Sequence, residues 1–292
     1  MLSDIFYAVS ILVGLGLTFG TILAVAYKKL RVIEDPRIDN VEEMLPGSNC
    51  GACGFPGCRA FAEKLVENGA APSGCTVSSP ETVEEIAGYL GVSAGVREKK
   101  VARLLCAGGI AEAPYIQPYI GLESCGAATV VTGGNKSCVW GCLGLADCEV
   151  ACTFSAIHMN ENGLPLVEPD LCTACGDCVV ACPKNLFVIM PVDQKLIVQC
   201  RCRIYGDKST DNCSVACTAC GLCAVDAAPG VIEMKDNLPV VDYSKNELID
   251  ATACKRCPTG AITWVAWKQF QETVKVPMPL GRVELSLYQE EE

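Results

Sequence analysis

The sequence predicts an α+β protein: one transmembrane helix at the N-terminus, a small helical module, and two tandem units of short strands and helices. Three observations carry this. Residues 5–27 contain no charge, 22 of the 292 residues are cysteine against a single histidine, and the C-terminal half matches itself after a shift of 75 positions. An uncharged helical run of that length rises about 35 Å, enough to cross a hydrocarbon core of about 30 Å. Thiols grouped in threes and fours, almost without histidine, indicate soft thiolate ligation of metal rather than a disulfide scaffold, and hence a reducing compartment.

The apolar run is followed by Lys28, Lys29 and Arg31 and preceded only by Asp4. By the positive-inside rule this is a single-pass anchor in the cell (inner) membrane, with a short outer N-terminus and all later residues cytoplasmic. A cleaved signal peptide would carry its basic residues on the other side of the apolar core. Gly14 and Gly16 lie in a membrane span, so their GxG spacing is no dinucleotide fingerprint. Gly16 and Gly20 form GxxxG, which permits close packing against a membrane partner.

After an expected linker at residues 35–40, LPGSNCGACGFPGC places Cys50, Cys53 and Cys58 among glycines, and Cys75 follows sixteen intervening residues later. Glycines let backbone N–H groups approach cluster sulfur. A helix is expected over residues 59–67. A second is signalled by Ser79 as cap, Pro80, the apolar set Val83, Ile86, Ala87 and Leu90, and Gly91 as stop. These features make residues 36–95 one module with one 4Fe-4S site. A zinc knuckle is the competing interpretation, but the two halves would be uneven.

The most specific stretch is LCTACGDCVVACPKN, with Cys172, Cys175, Cys178, Cys182 and then Pro183. It is the CxxCxxCxxxCP run of bacterial-type ferredoxins, in which three thiolates hold one cubane and the fourth reaches a neighbouring one. The unit, residues 136–190, opens with Cys138, Cys142, Cys148 and Cys152 and has an Asn162-Gly163 hairpin turn in its middle. Interleaving gives Cys152 to the Cys172, Cys175 and Cys178 site. Cys182 then joins Cys138, Cys142 and Cys148, whose spacing is loosened because Leu145 stands at the usual middle position. His158 is expected to be a surface or packing residue.

Under the 75-residue shift, Cys138, Cys142, Cys148 and Cys182 map to Cys213, Cys217, Cys223 and Cys257, and NGLPLVEPD matches DNLPVVDYS one position short of that shift. Cys152, Cys172, Cys175 and Cys178 map to Ala227, Glu247, Asp250 and Ala253, so one cubane's ligands are missing as a set. The second unit, residues 213–265, is therefore expected to hold one cluster on Cys217, Cys220, Cys223 and Cys257, with Cys213 and Cys254 spare, or with Cys213 in place of Cys220 if this unit copies the first. The total is four 4Fe-4S clusters. A fifth on Cys106, Cys125, Cys200 and Cys213 is an additional candidate, motivated only by the thiols left over, Cys202 among them. Residues 96–135 and 191–212 read as connectors and 266–292 as a tail.

A formal net charge of -11 argues against a nucleic-acid partner. Basic runs remain at Arg97, Lys99, Lys100 and Arg103, at Arg201, Arg203 and Lys208, and at Lys255 and Arg256. On an acidic chain they could steer an acidic protein partner. No acid-base pair or nucleophile has recognisable spacing, so no catalytic residue is assigned.

An N-terminal membrane helix, then LPGSNCGACGFPGC with a distant Cys75, then ferredoxin repeats, resembles the B subunits of Rnf complexes, over roughly residues 1–265. The resemblance implies an electron-transfer component of a membrane ferredoxin:NAD oxidoreductase that translocates ions. Soluble ferredoxin would be the donor, polytopic and flavin-carrying subunits the partners, and NAD and flavin would bind elsewhere. The degenerate second unit departs from the family pattern, in which two full motifs are usual there. Other functions of the same architecture are a membrane-anchored polyferredoxin feeding another reductase or a corrinoid protein, and a thiol-rich store of zinc or iron.

Overall fold

A computed structural model describes residues 2–30, 35–96 and 98–270 of the chain. Arg31, Arg97 and most of the expected tail, with Glu290, Glu291 and Glu292, lie outside the described residues. Helix α1, Leu2–Leu30, presents Leu12, Leu17 and Leu23 outward, and Val9–Lys29 has a mean hydropathy of 2.2. That segment is long and apolar enough to cross a membrane. A Cβ added at Gly16 or Gly20 would meet nothing within 4 Å, so the GxxxG face is open.

The residues expected as a linker form most of a helix instead. In α2, Pro36–Met44, Asp35 caps the end by accepting the Arg37 N–H at 2.9 Å and Pro36 occupies the first turn, a start signal present in the sequence. Helix α3, Cys58–Val66, and helix α4, Pro80–Leu90, lie where the periodicity puts them. Ser79 accepts the Thr82 N–H at 3.2 Å, and Gly91 closes α4 at φ 69°, a left-handed conformation that costs glycine little. The three helices bury Val41, Leu45, Phe61, Ala62, Leu65 and Ile86 around Cys75.

Beyond this module one pattern occurs twice. Strand β1, Lys100–Leu104, is followed by helices α5, Cys125–Thr132, and α6, Asp147–Val150, the hairpin of β2, Ile157–Met159, and β3, Pro165–Val167, helix α7, Asp177–Ala181, and strand β4, Phe187–Pro191. Next come β5, Leu196–Val198, α8, Leu222–Asp226, the hairpin of β6, Ile232–Lys235, and β7, Leu238–Val241, α9, Thr252–Lys255, and β8, Ile262–Trp264. In each copy the first strand pairs antiparallel with the last, Lys100 opposite Pro191 and Leu196 opposite Trp264, and the middle two form a hairpin. Segments 96–135 and 191–212, expected as connectors, thus each contribute an opening strand or part of one.

The second hairpin turns on two residues, Asp236 and Asn237, both with positive φ, so its second strand is shifted by 74 positions and the 75-residue register returns by Cys257. Where the second copy lacks four cysteines, Ala227 and Ala253 belong to an apolar cluster with Val231, Ile232, Tyr243 and Ile249. Met190, Ile197 and Val265 pack together across the two copies.

Leu65 is 1% exposed in the small module core. Leu65→Ala is expected to cost about 2–5 kcal/mol there. Chemical unfolding followed by iron release should show the variant losing part of its iron at lower denaturant than the parent.

Candidate iron-sulfur sites

All 22 cysteines are free thiols. Burial alone makes bare thiolates costly at these positions. The thiols of Cys142, Cys148 and Cys178 are each pushed up to about 12, first by burial and then by neighbouring thiols. Metal binding must therefore displace their protons, and iron supplies the positive charge that makes a buried thiolate stable.

The first set surrounds the glycine-rich loop. Cys53, Cys58 and Cys75 pack on the three-helix core, and Asn49 Oδ1 fixes the loop by accepting the Cys58 N–H at 2.8 Å. In the first repeat, Cys152, Cys172, Cys175 and Cys178 line one cavity of about 310 Å³ with Ala102, Ile157 and Ile189. In the second, Cys217, Cys220, Cys223 and Cys257 line one of about 330 Å³ with Met234, Pro239 and Ile262. Both sets unite three thiols of one loop with a fourth from another element, as the interleaving rule expects. Backbone N–H groups point at sulfur: Ala156 donates to Cys152 Sγ at 3.3 Å, Leu186 to Cys182 Sγ at 3.5 Å and Ala219 to Cys217 Sγ at 3.4 Å.

The remaining set differs in one member from the expected group. Cys148 lies in the field of Cys125 and Cys182, Cys142 in that of Cys106 first and of Cys148 more weakly, and Cys125 in that of Cys182. Cys138, expected in this group, lies instead with Cys106, Cys202 and Cys213. The reason is in the loop. Residues 144 and 146 take left-handed φ of 71° and 66°, as do residues 219 and 221 at 57° and 75°, so the loop keeps the ligand-loop shape although Leu145 replaces its middle cysteine. The Cys125 thiol fills that position, with the Leu145 and Asp147 N–H groups directed at it. Asp147 holds it there by accepting the N–H groups of Cys125 at 2.9 Å and Gly126 at 3.0 Å, and the Ser124 hydroxyl at 3.0 Å. The sequence signal was an acidic residue two positions past the missing cysteine and a serine capping α5.

Among the described residues, no three His, Cys, Asp or Glu side chains are close enough to hold a single metal ion. The thiols line partly open pockets instead, which suits a bulky cubane. Tetrahedral zinc would need sulfurs only about 3.8 Å apart. Apolar walls, four thiols and N–H donors make the residues present fit 4Fe-4S groups. His158 is exposed with its Nδ1 3.7 Å from Glu149, and Cys254 donates to the Ala251 carbonyl at 3.1 Å.

Charge is placed unevenly around these sites. Arg103, expected on an exposed basic face, is fully buried. It donates to the Trp267 carbonyl at 2.7 Å, its Nε and Nη2 find no hydrogen-bond partner among the described residues, and its charge reaches Cys172. Lys99 sits between Asp170, 3.7 Å away, and the Trp267 ring, 5.2 Å from its centroid. Arg201, Arg203, Lys208 and Lys255 are exposed on the second repeat, and Cys220 is the one exposed cysteine there.

The family model for an Fe-S cluster matches residues 45–77 and that for a 4Fe-4S binding domain matches residues 164–187. The chain is 40% identical over 267 residues to the B subunit of the Na(+)-translocating ferredoxin:NAD(+) oxidoreductase complex of Acetobacterium woodii, covering 90% of this chain and 79% of that protein. It is 36% identical over 257 residues to the B subunit of the ion-translocating oxidoreductase complex of Methanosarcina acetivorans, covering 88% and 96%. With the B subunit of the proton-translocating ferredoxin:NAD(+) oxidoreductase complex of Clostridium ljungdahlii it shares 38% identity over 250 residues, covering 85% and 88%.

Removing the buried charge of Arg103 should make reduction of the nearby cluster harder. Arg103→Met is expected to lower the midpoint potential of one cluster by roughly 50 mV, the order of a unit charge acting through protein. Redox titration followed by EPR measures it, and an unchanged set of potentials counts against the assigned electrostatic role.

Proposed function

This chain belongs to the family of B subunits of ion-translocating oxidoreductase (Rnf) complexes, and from that premise we propose that it is the membrane-anchored electron relay of a ferredoxin:NAD oxidoreductase. Reduced ferredoxin is the donor, and the other subunits, polytopic and flavin-carrying, receive the electrons. The observation that carries this is the gathering of thiols by loops from different parts of the chain, with Cys152, Cys172, Cys175 and Cys178 around one cavity, Cys217, Cys220, Cys223 and Cys257 around another, and Cys53, Cys58 and Cys75 on one small core. Iron-sulfur cubanes exchange one electron at a time without making or breaking bonds in a substrate, so a row of them conducts rather than catalyses.

The ligand sets in this reading are Cys50, Cys53, Cys58 and Cys75; Cys152, Cys172, Cys175 and Cys178; Cys217, Cys220, Cys223 and Cys257; and Cys142, Cys148 and Cys182 with Cys125 in place of Cys138. The two repeats, residues 100–191 and 196–265, are ferredoxin-like units, supported by the pairing of their first and last strands and by the central hairpin. The chain's own work is to hold each cluster, keep water from it with apolar walls, and direct N–H groups at sulfur. Lys28 and Lys29 after the apolar segment support an outer N-terminus and cytoplasmic clusters.

Entry at the second unit is supported by its exposed Cys220 and by Arg201, Arg203 and Lys208 nearby, where Gly206 N–H donates to the Thr218 carbonyl at 3.0 Å and so ties the basic loop to the ligand loop. An acidic ferredoxin meeting this face would be steered by charge. Exit lies toward the Cys50 module, which follows the anchor directly in the chain.

Two experiments test the reading. Cys125→Ser should remove about four iron and four sulfide per chain while Cys254→Ser removes none; equal iron in both would exclude Cys125 as a ligand. The charge reversals Arg201→Glu, Arg203→Glu and Lys208→Glu together should raise the KM for reduced ferredoxin about tenfold at low salt, with the difference shrinking as salt rises. A salt-independent loss of kcat instead would place the docking face elsewhere.

A further inference from the structure

Five buried thiols share a space that none of the four sets uses. A cavity of about 260 Å³ where the two repeats meet is lined by Cys106, Cys138, Cys200, Cys202 and Cys213, with Gln199 beside them. Four of the five form two equivalent pairs. Cys106 stands two residues beyond the end of β1 and Cys200 two beyond the end of β5. Cys138 and Cys213 are related by the 75-residue shift, each four residues before the opening cysteine of its ligand loop. The hydrogen bonds repeat too: Cys142 N–H donates to Cys106 Sγ at 3.4 Å, and Cys217 N–H to Cys200 Sγ at 3.3 Å. The Ala107 N–H joins the halves by donating to the Gln199 carbonyl at 3.0 Å.

The cavity is therefore pseudo-symmetric, with two matched thiols from each repeat. Cys202 has no match. Its counterpart two residues past Cys106 is Gly108, where an added Cβ would lie 2.8 Å from Cys213 Sγ and 3.9 Å from Cys106 Sγ. That glycine is what lets the two thiols face one space.

Buried cysteines often serve only as small apolar filler. Filler does not explain Gln199, which is 6% exposed, lines the same cavity, and has an Nε2 without a hydrogen-bond partner among the described residues. A buried unpaired amide is costly unless something in the cavity accepts from it. Nor does filler explain Lys136, 4% exposed, whose ammonium donates to the Gly108 and Cys142 carbonyls at 2.7 Å each and acts on Cys106 and Cys213. A buried cation favours a negatively charged occupant beside it.

We propose that Cys106, Cys138, Cys200 and Cys213 hold a further 4Fe-4S cluster between the two repeats, with the Gln199 amide donating to its sulfur and Cys202 remaining a free thiol. The inference rests on the relay reading above and adds a site to it. Standing between the Cys217 set and the Cys142 set, the cluster accepts one electron from the former and passes one to the latter. The reductant is the reduced ferredoxin already named, and no bond changes.

The test is iron and sulfide analysis of full-length chain purified anaerobically, with EPR of the dithionite-reduced form. Cys138→Ser with Cys213→Ser should remove about four iron and four sulfide. Adding Cys125→Ser should bring the loss to about eight, and Cys202→Ser alone should remove none. Iron unchanged in the double variant would overturn the proposal. So would a combined loss of only about four, because Cys138 would then serve the Cys125 site. Gln199→Leu keeps the ligands, so it should keep the iron and lower the potential of one EPR signal; unaltered potentials overturn the amide's part. Failure of the relay reading shows separately, as unchanged iron in Cys178→Ser or Cys223→Ser.

Discussion

The fold depends on thiols that cross from one element to another to meet a loop that cannot complete a site by itself. Each ligand loop supplies at most three sulfurs, and a fourth comes from elsewhere: Cys152 from beside α6, Cys257 from beside α9, Cys75 from a turn after α3. The secondary structure between these points is slight. Among the described residues, six of the eight strands have three or four residues and helix α6 has four, lengths that do not persist on their own in water. The thiols fix where such short elements end, and the small apolar clusters between them keep water out.

This division of labour explains why part of the architecture could be read in the sequence and part could not. Elements set by neighbouring residues were legible. Ser79, Pro80 and Gly91 bracket α4 as expected, the hairpin at Asn162-Gly163 forms, and the 75-residue repeat carries through to matching strand pairs. The helix at Pro36 is equally local, with Asp35 as its cap, but its polar residues read as a linker because so little of its surface is apolar. Spacing also predicted that Cys152 joins Cys172, Cys175 and Cys178 around one cavity. What spacing cannot reveal is a thiol arriving from outside the motif. Cys125 is isolated in the sequence, and only the fold of α5 onto Asp147 brings it to the place Leu145 leaves empty. The same holds for charge: Arg103 reads as one of a basic run, yet β1 is buried from Val101 through Leu104, and the cover of residues 267–269 buries Arg103 with it.

The two repeats show how such a construction tolerates change. In the second repeat Ala227 and Ala253 stand where thiols stand in the first, and the space is closed by Tyr243 and Ile249, with the Tyr243 hydroxyl donating to the Leu196 carbonyl at 2.7 Å. Glu247 and Asp250, the other two replacements, are surface residues, so no buried charge had to be accommodated. In the first repeat the opposite happened at Leu145. The loop has leucine at its middle position yet takes the left-handed backbone at residues 144 and 146, and the Cys125 thiol reaches that place from another direction.

These two histories bear on Cys138 and Cys213. Both repeats keep a cysteine four residues ahead of the ligand loop although neither loop needs it: the second has Cys217, Cys220 and Cys223 with Cys257, and the first has Cys125 in the middle place. A thiol without a partner in its own repeat, present at the same position in both, must find its role where the repeats face one another. That is where Cys106 and Cys200 also point, each accepting the N–H of the opening cysteine of its own repeat's ligand loop, with Lys136 buried alongside. The repeat, visible in the sequence as a shift, thus brings matched thiols of both copies to one cavity that neither copy forms alone.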